Sequence, residues 1–409
     1  MVQRCLMRNT PPSTPPQAGG GEPADATILL RKCLGNWSDD EVISALIAAS
    51  AADWESLYRQ SLLHQVSPLL HRRLRALSDR VTIPLDIPDK LKACYLSESA
   101  RAVRITHHLT RLLTAFQEVG IPVILLKGAH LATQVYPDPA LRTMDDVDLL
   151  VWQSNLYRSR QIVENLKQQS PGAAIRVDLH WSIESGSSPF SINPDDLWQR
   201  ARPVVIDGVE ARTLSPEDLL LHLCLHGIFR HLYAPIGLRL FCDLAVVLER
   251  YGDEINWEEL ARLADEWGAG NVLRLAFRLL DEALNVKLSS DVATLFELDD
   301  PNRQLTAIAL PHLLDPASYR GSAESPYFFQ ALSGGWREAV RRLWRSGVPN
   351  RDVISGKFDA APGSARWWRW YLFRTWRVCR ISVRSIWRAT TERERMKPLL
   401  KLNRWMAKK

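Results

Sequence analysis

Between residues 121 and 181 the chain carries acids at a spacing that suits metal chemistry. DVDLLVW (146–152) alternates charged and apolar residues, so as a strand it sets Asp146 and Asp148 on one face and Val147, Leu149 and Val151 on the other. Two carboxylates on neighbouring same-face positions stand about 6.7 Å apart along the backbone. They can converge on a hard cation that offsets their repulsion. IRVDLHW (175–181) repeats the pattern, with Asp178 and His180 on one face, so a neighbouring strand can supply a third acid. Upstream, Gly128 follows the apolar run IPVILLK (121–127). Lacking a Cβ, it lets backbone N–H groups approach a phosphate at a helix start. Lys127 beside it and Arg142 before the acid pair add charge that would balance a triphosphate. Each feature alone has a bland reading, a strand-end Asp or a plain Lys-Gly turn. In combination they point to metal-assisted phosphate chemistry.

Those residues need a sheet to hold them. IPVILLK is short, β-branched and bounded by Gly120 and Gly128, as a buried strand is. AHLATQVY reads as a short helix, a loop with Pro137 and Pro139 leads into DVDLLVW, and a helical stretch at 154–168 precedes IRVDLHW. Strand, helix, strand, helix, strand implies a small sheet with helices packed on it. Flanking segments repeat apolar residues at three- and four-residue spacing, as amphipathic helices do. The second flank opens at Ser215 with a capping box completed by Asp218. The expected organisation is a disordered arm (1–26), an N-terminal helical region (27–118), an α/β core (119–210), a C-terminal helical region (211–290), an irregular or helical extension (291–363) and a basic tail (364–409). The arm is rich in Pro, Gly, Ser and Thr and cannot offset its ordering entropy.

The 409 residues are 46% apolar and 24% charged, an ordinary globular balance that excludes a wholly disordered chain. No apolar run reaches the roughly 18 residues of a spanning helix, and Met1–Gly35 lacks a secretion pattern, so a cytoplasmic protein is expected. The six cysteines are far apart with no C-x-x-C pair, which argues for reduced, mainly buried thiols rather than a zinc ribbon or disulfide scaffold. Charge is unevenly placed. From Arg320 onward lie 21 of the 52 Lys/Arg but only 6 of the 46 Asp/Glu, a net +15, which leaves the body near −9. RWWRWYLFRTWRVCRISVRSIWR (366–388) interleaves Arg with Trp367, Trp368, Trp370, Trp376 and Trp387. It suits an anionic membrane surface, peripheral at the inner membrane, or single-stranded nucleic acid, or docking on the acidic body.

Two further spacings carry an expectation. His222 and His226 stand four apart on a helix, but Leu223 occupies the place a zinc-protease glutamate needs, so they read as packing or hydrogen bonding in a helical core, with a contact to the cleft as the alternative. Arg239 and Asp243, also four apart, read as an ion pair.

ILLKGAHLATQVYPDPALRTMDDVDLLV, then VDLHW, then LSPEDLLLHLCLHG with FCDLAVVLER, closely resembles the uncharacterised nucleotidyltransferase family of the DNA polymerase β-like superfamily, over about residues 36–285. The superfamily pattern is a strand ending in Gly plus a small residue, an Asp-x-Asp strand, and a lone Asp on a later strand. The resemblance implies an α+β fold, a small mixed sheet flanked by N- and C-terminal helical regions. It makes Gly128 and Ala129 the phosphate turn and Asp146, Asp148 and Asp178 catalytic metal ligands, beside which Lys127, Arg142 and His180 are the candidate nucleotide contacts read from the residues themselves. It implies attack by an acceptor hydroxyl on the α-phosphate of an NTP, pyrophosphate leaving, with two Mg²⁺ or Mn²⁺ about 3.5–4 Å apart. Asp146 and Asp148 would hold the nucleotide's metal, and Asp178 the second. The acceptor is not implied, nor a stable protein partner. Two departures stand out: Ala129 where Gly or Ser is usual, and a short interval from Asp148 to Asp178. They imply a trimmed sheet or displaced third acid, and a nucleotide-binding module without turnover as the alternative to an enzyme. A protein acting through its basic tail is the third class.

Overall fold

The computed structural model describes residues 24–169, 175–184, 188–230, 237–298, 303–314 and 393–408, with a few helical positions between 365 and 380. Most of the expected arm, 1–23, and the segment 315–364 lie outside the described residues, as do Trp367, Trp370 and Trp387. The last three arm residues belong instead to the first helix, α1 (Ala24–Leu34).

An N-terminal layer follows with α2 (Asp39–Ile47), α3 (Ala51–Leu63), α4 (Ser67–Ala76) and α5 (Asp86–Glu118). Reciprocal capping boxes, Ser38 with Glu41 and Ser50 with Asp53, start α2 and α3 by satisfying first-turn N–H groups. Next come β1 (Ile124–Leu125), α6 (Lys127–His130) running on into a π-helical turn at Leu131–Val135, β2 (Asp146–Leu150), α7 (Leu156–Gln169), β3 (Arg176–His180), α8 (Pro194–Arg200), β4 (Arg202–Ile206) and β5 (Val209–Thr213). The chain continues through α9 (Pro216–Cys224), α10 (Leu238–Tyr251), α11 (Trp257–Trp267), α12 (Gly270–Leu284), α13 (Ser290–Leu295) and α14 (Arg303–Leu314) to α15 (Arg393–Met406).

The architecture is α+β, with a small mixed sheet between helical regions. Strand order is β3-β2-β1-β5-β4, in which β2 pairs parallel with β3, β1 antiparallel with β2 and parallel with β5, and β4 antiparallel with β5. Across the short interval from Asp148, Asp178 sits opposite Asp148 in the β2–β3 register. The β4–β5 hairpin was not among the expected strands. Its turn, Asp207-Gly208, has φ of 46° and 83°, the paired positive values that favour Asp-Gly in a two-residue hairpin.

Period-two alternation separates two cores. Val147, Leu149 and Val151 point to one face of the sheet and pack with Ile105, Leu109, Leu112 and Phe116 of α5. Leu150 enters a second core with the flanking helices α9, α10 and α12. Asp146 and Asp148 share Leu150's side of β2, so they emerge between the sheet and the C-terminal helices. The Ser215 cap holds, its hydroxyl accepting from the Asp218 N–H, but the expected reciprocal half is absent: the Asp218 carboxylate takes a two-pronged bond from Arg200 at 2.8 and 2.9 Å. Among the described residues no helix is long and apolar enough to cross a membrane. Cys33, Cys94, Cys224 and Cys242 are free, and all but Cys94 are buried.

Candidate functional site

A cavity of about 660 Å³ opens where β2, β3, the start of α6 and α10 meet. Asp146, Asp148, Asp178, Lys127, Gly128, Arg142 and His180 all line it. Ala129 does not: its methyl is buried in the core beneath the sheet. A serine hydroxyl at 129 would face that core rather than a phosphate, so the departure removes nothing from the cavity.

Strand alternation delivers Asp148 to the cavity floor with its side chain 8% exposed. Its Oδ1 accepts from Lys127 Nζ and from His180 Nε2, both at 2.8 Å. Because a carboxylate only accepts, His180 carries its proton on Nε2. Burial alone would raise the Asp148 pKa, but the His180 hydrogen bond and the Lys127 charge outweigh it and hold the carboxyl at about 2. Asp146 is bridged by Arg176, whose Nε also lies 3.8 Å from Asp178. Arg176 escaped the sequence reading, although its place two residues before Asp178 puts it on the same strand face.

At the strand-to-helix junction it is Lys127, not the glycine, that takes positive φ, 43°. A non-glycine residue there is strained by roughly 1–3 kcal/mol, and the conformation turns its ammonium back onto Asp148. Gly128 is needed for space: a Cβ would lie 3.0 Å from Met144 Cγ and 3.9 Å from Arg142 Nη1.

Arg142 is not a free cation. Its Nε donates to Asp243 Oδ1 at 2.6 Å, and the Tyr136 hydroxyl donates to the same oxygen at 2.9 Å. The expected Arg239–Asp243 pair is therefore corrected: Asp243 serves Arg142, while Arg239 bonds Gln65 and lines the cavity. His226 also lines the cavity, whereas His222 is 2% exposed behind it, kept neutral by burial and by the Lys127 charge.

The three acids reach one cavity without gathering around a common point. Among the described residues, no group of three His, Cys, Asp or Glu side chains is placed to hold a metal ion. The physical reason is visible in the partners: with like charges on paired strands, each carboxylate takes a basic side chain. The donor set still fits a divalent cation, since it consists of hard carboxylate oxygens, one of them held ionised and all drawing positive charge.

Comparison with known proteins now bears on this cavity. A family described as uncharacterised nucleotidyltransferase matches residues 50–285, more than half of the chain and the whole of the cavity lining. The chain belongs to that family. Membership supports nucleotidyl transfer as its general activity. No curated protein and no solved structure matches the chain.

Proposed function

We propose that this cavity is the active site of a metal-dependent nucleotidyltransferase, which moves an NMP group from an NTP to a hydroxyl acceptor. The observation that carries the reading is the register of Asp148 against Asp178 on paired strands, with Asp146 beside them and Gly128 in the same cavity wall. Asp146, Asp148 and Asp178 would hold Mg²⁺ or Mn²⁺, which when bound stabilises charge on the attacking and leaving oxygens.

The chain's own residues account for the rest. Lys127 and His180 keep Asp148 ionised at neutral pH. The bare Cα of Gly128 lets Met144 pack against the cavity wall beside Arg142, next to which phosphate oxygens would lie. Asp178, the most exposed of the three acids, takes the proton of the acceptor hydroxyl. The acceptor oxygen then bonds the α-phosphorus, the bond to the bridging oxygen breaks, and pyrophosphate carries away the electron pair.

The test uses the full-length chain with Mg²⁺ and each of the four common NTPs. The nucleotide it uses should raise the melting midpoint, and EDTA, Asp146→Asn or Asp178→Asn should at least halve the rise. Pyrophosphate release should follow when hydroxyl acceptors are supplied as a panel. If no NTP moves the midpoint, or neither substitution halves the rise, the reading fails.

A further inference from the structure

Five Lys and Arg side chains line the cavity, and four are engaged by carboxylates: Lys127 by Asp148, Arg142 by Asp243, Arg176 by Asp146, and Arg230 by Glu184. Arg239 is the exception among the described residues. It makes no ion pair: of its neighbouring acids, Asp243 is taken by Arg142 and Asp145 by Arg101, while Glu98 feels its charge without pairing with it. Its Nη1 meets two neutral acceptors, the Gln65 side chain and, at 3.5 Å, the Thr143 carbonyl. Its Nε is buried without a hydrogen-bond partner.

The position of this unmatched guanidinium identifies the ligand it awaits. The Thr143 carbonyl also accepts from Arg142 Nη1 at 2.5 Å, so two arginines converge on one oxygen. Arg142 Nη1 in turn lies 3.9 Å from the point where a Gly128 Cβ would sit. Two guanidiniums and a bare Cα thus face one another. Burial and the nearby Arg142 push the Arg239 pKa down to about 10, outweighing the opposite pull of Asp243 and Asp145, neither of which pairs with it. A desolvated charge without a counterion is costly to a folded chain, and a planar fork beside a second arginine matches the oxygens of a polyphosphate.

We propose that Arg239, carried on α10 from outside the α/β core, binds the terminal phosphates of the nucleotide beside Arg142 and Gly128. The inference rests on the nucleotidyltransferase reading for the identity of the ligand, though not for its charge. α10 is thereby part of the nucleotide site rather than only a packing helix.

Inorganic tripolyphosphate in EDTA is the probe, with citrate at equal ionic strength as the carboxylate control. Calorimetry on the full-length chain should show tripolyphosphate binding at least tenfold tighter than citrate. Arg239→Gln should weaken it at least tenfold while melting no lower than the wild-type chain in the absence of ligand. A purely structural arginine would give the reverse, a lowered midpoint with binding intact. On the unaltered protein, tripolyphosphate should protect Arg239 from phenylglyoxal, read by mass spectrometry, which keeps the test decisive if the variant fails to fold. Binding within twofold of wild type in Arg239→Gln, no protection, or equal citrate binding overturns the proposal. If Mg²⁺–NTP still raises the midpoint in that event, the nucleotidyltransferase reading stands without Arg239. If tripolyphosphate binds through Arg239 but no NTP does, the anion seat stands and the nucleotide reading falls.

Discussion

Asp148 receives two donors through a single oxygen, and its chemistry follows from that. The carboxyl is held at about 2 in the folded chain against about 3.9 when unfolded. A depressed carboxylate contributes stability that is full above the unfolded value and lost as pH falls through the folded one. Its contribution, on the order of 2 kcal/mol, is complete above about pH 5 and disappears towards pH 2. Urea midpoints at pH 6, 4 and 2.5 should therefore converge between the wild-type chain and Asp148→Asn. At pH 6 the variant, with Lys127 buried beside a neutral amide, should be less stable by that amount, roughly 2 kcal/mol. Parallel midpoint curves for the two chains would show that His180 and Lys127 do not hold the carboxyl down. The alternation of DVDLLVW makes this acid legible in the sequence. The two donors on it were legible only as neighbours in type, because their convergence depends on a positive φ at Lys127 that no residue pattern announces.

At the scale of elements, α10 is tied to the site by one carboxylate. Asp243, 3% exposed, accepts from Arg142 on the loop before β2 and from Tyr136 after the π-helical turn, both through Oδ1. Asp243→Ala would leave the Arg142 guanidinium buried without a counterion, at a cost of roughly 3–5 kcal/mol. Chemical denaturation should show that loss, and a change below 1 kcal/mol would mean that water or another group compensates. The sequence offered Arg239 as the partner because it lies one helical turn from Asp243. The actual partner lies 101 residues away, and spacing along a helix says nothing about a competitor brought in by the sheet. The hairpin of β4 and β5 is a different kind of omission. RPVVIDGVEART carries an Asp-Gly turn between alternating residues, a signal of the pattern that identified β2 and β3. The hairpin is legible in the residues, but no chemistry sits on it. The helical flanks and the Asp-bearing strands were legible because burial on one face writes a period into the chain; the ion-pair scheme was not, because it is decided by three-dimensional competition.

For the whole molecule, the asymmetry of charge raises the question of what the basic end does, and its described parts behave differently. α15 packs on α12 and α14, with Leu399, Leu402 and Met406 buried and the Asn271 amide donating to the carbonyls of Trp405 and Lys408. Its apolar face is thus already used within the chain. Upstream, Trp368 and Trp376 are 51% and 54% exposed, and the Arg380 guanidinium lies 5.2 Å from the Trp376 ring centre. Aromatic rings and arginines of that kind suit an anionic lipid surface, the partner we propose for this segment. The two parts should separate experimentally. Deleting 393–409 removes three buried apolar side chains, each contributing about 1.5–3 kcal/mol by burial, and exposes the apolar seam between α12 and α14. The truncated chain should melt lower and bind more of a hydrophobic dye. Replacing Trp368 and Trp376 together by Glu removes exposed rings and adds negative charge. It should leave the midpoint within 1 °C while reducing co-sedimentation with phosphatidylserine vesicles at least fivefold. If the double substitution pellets like wild type, the lipid assignment fails; if the truncation melts unchanged, α15 is an appendage and not part of the folded body.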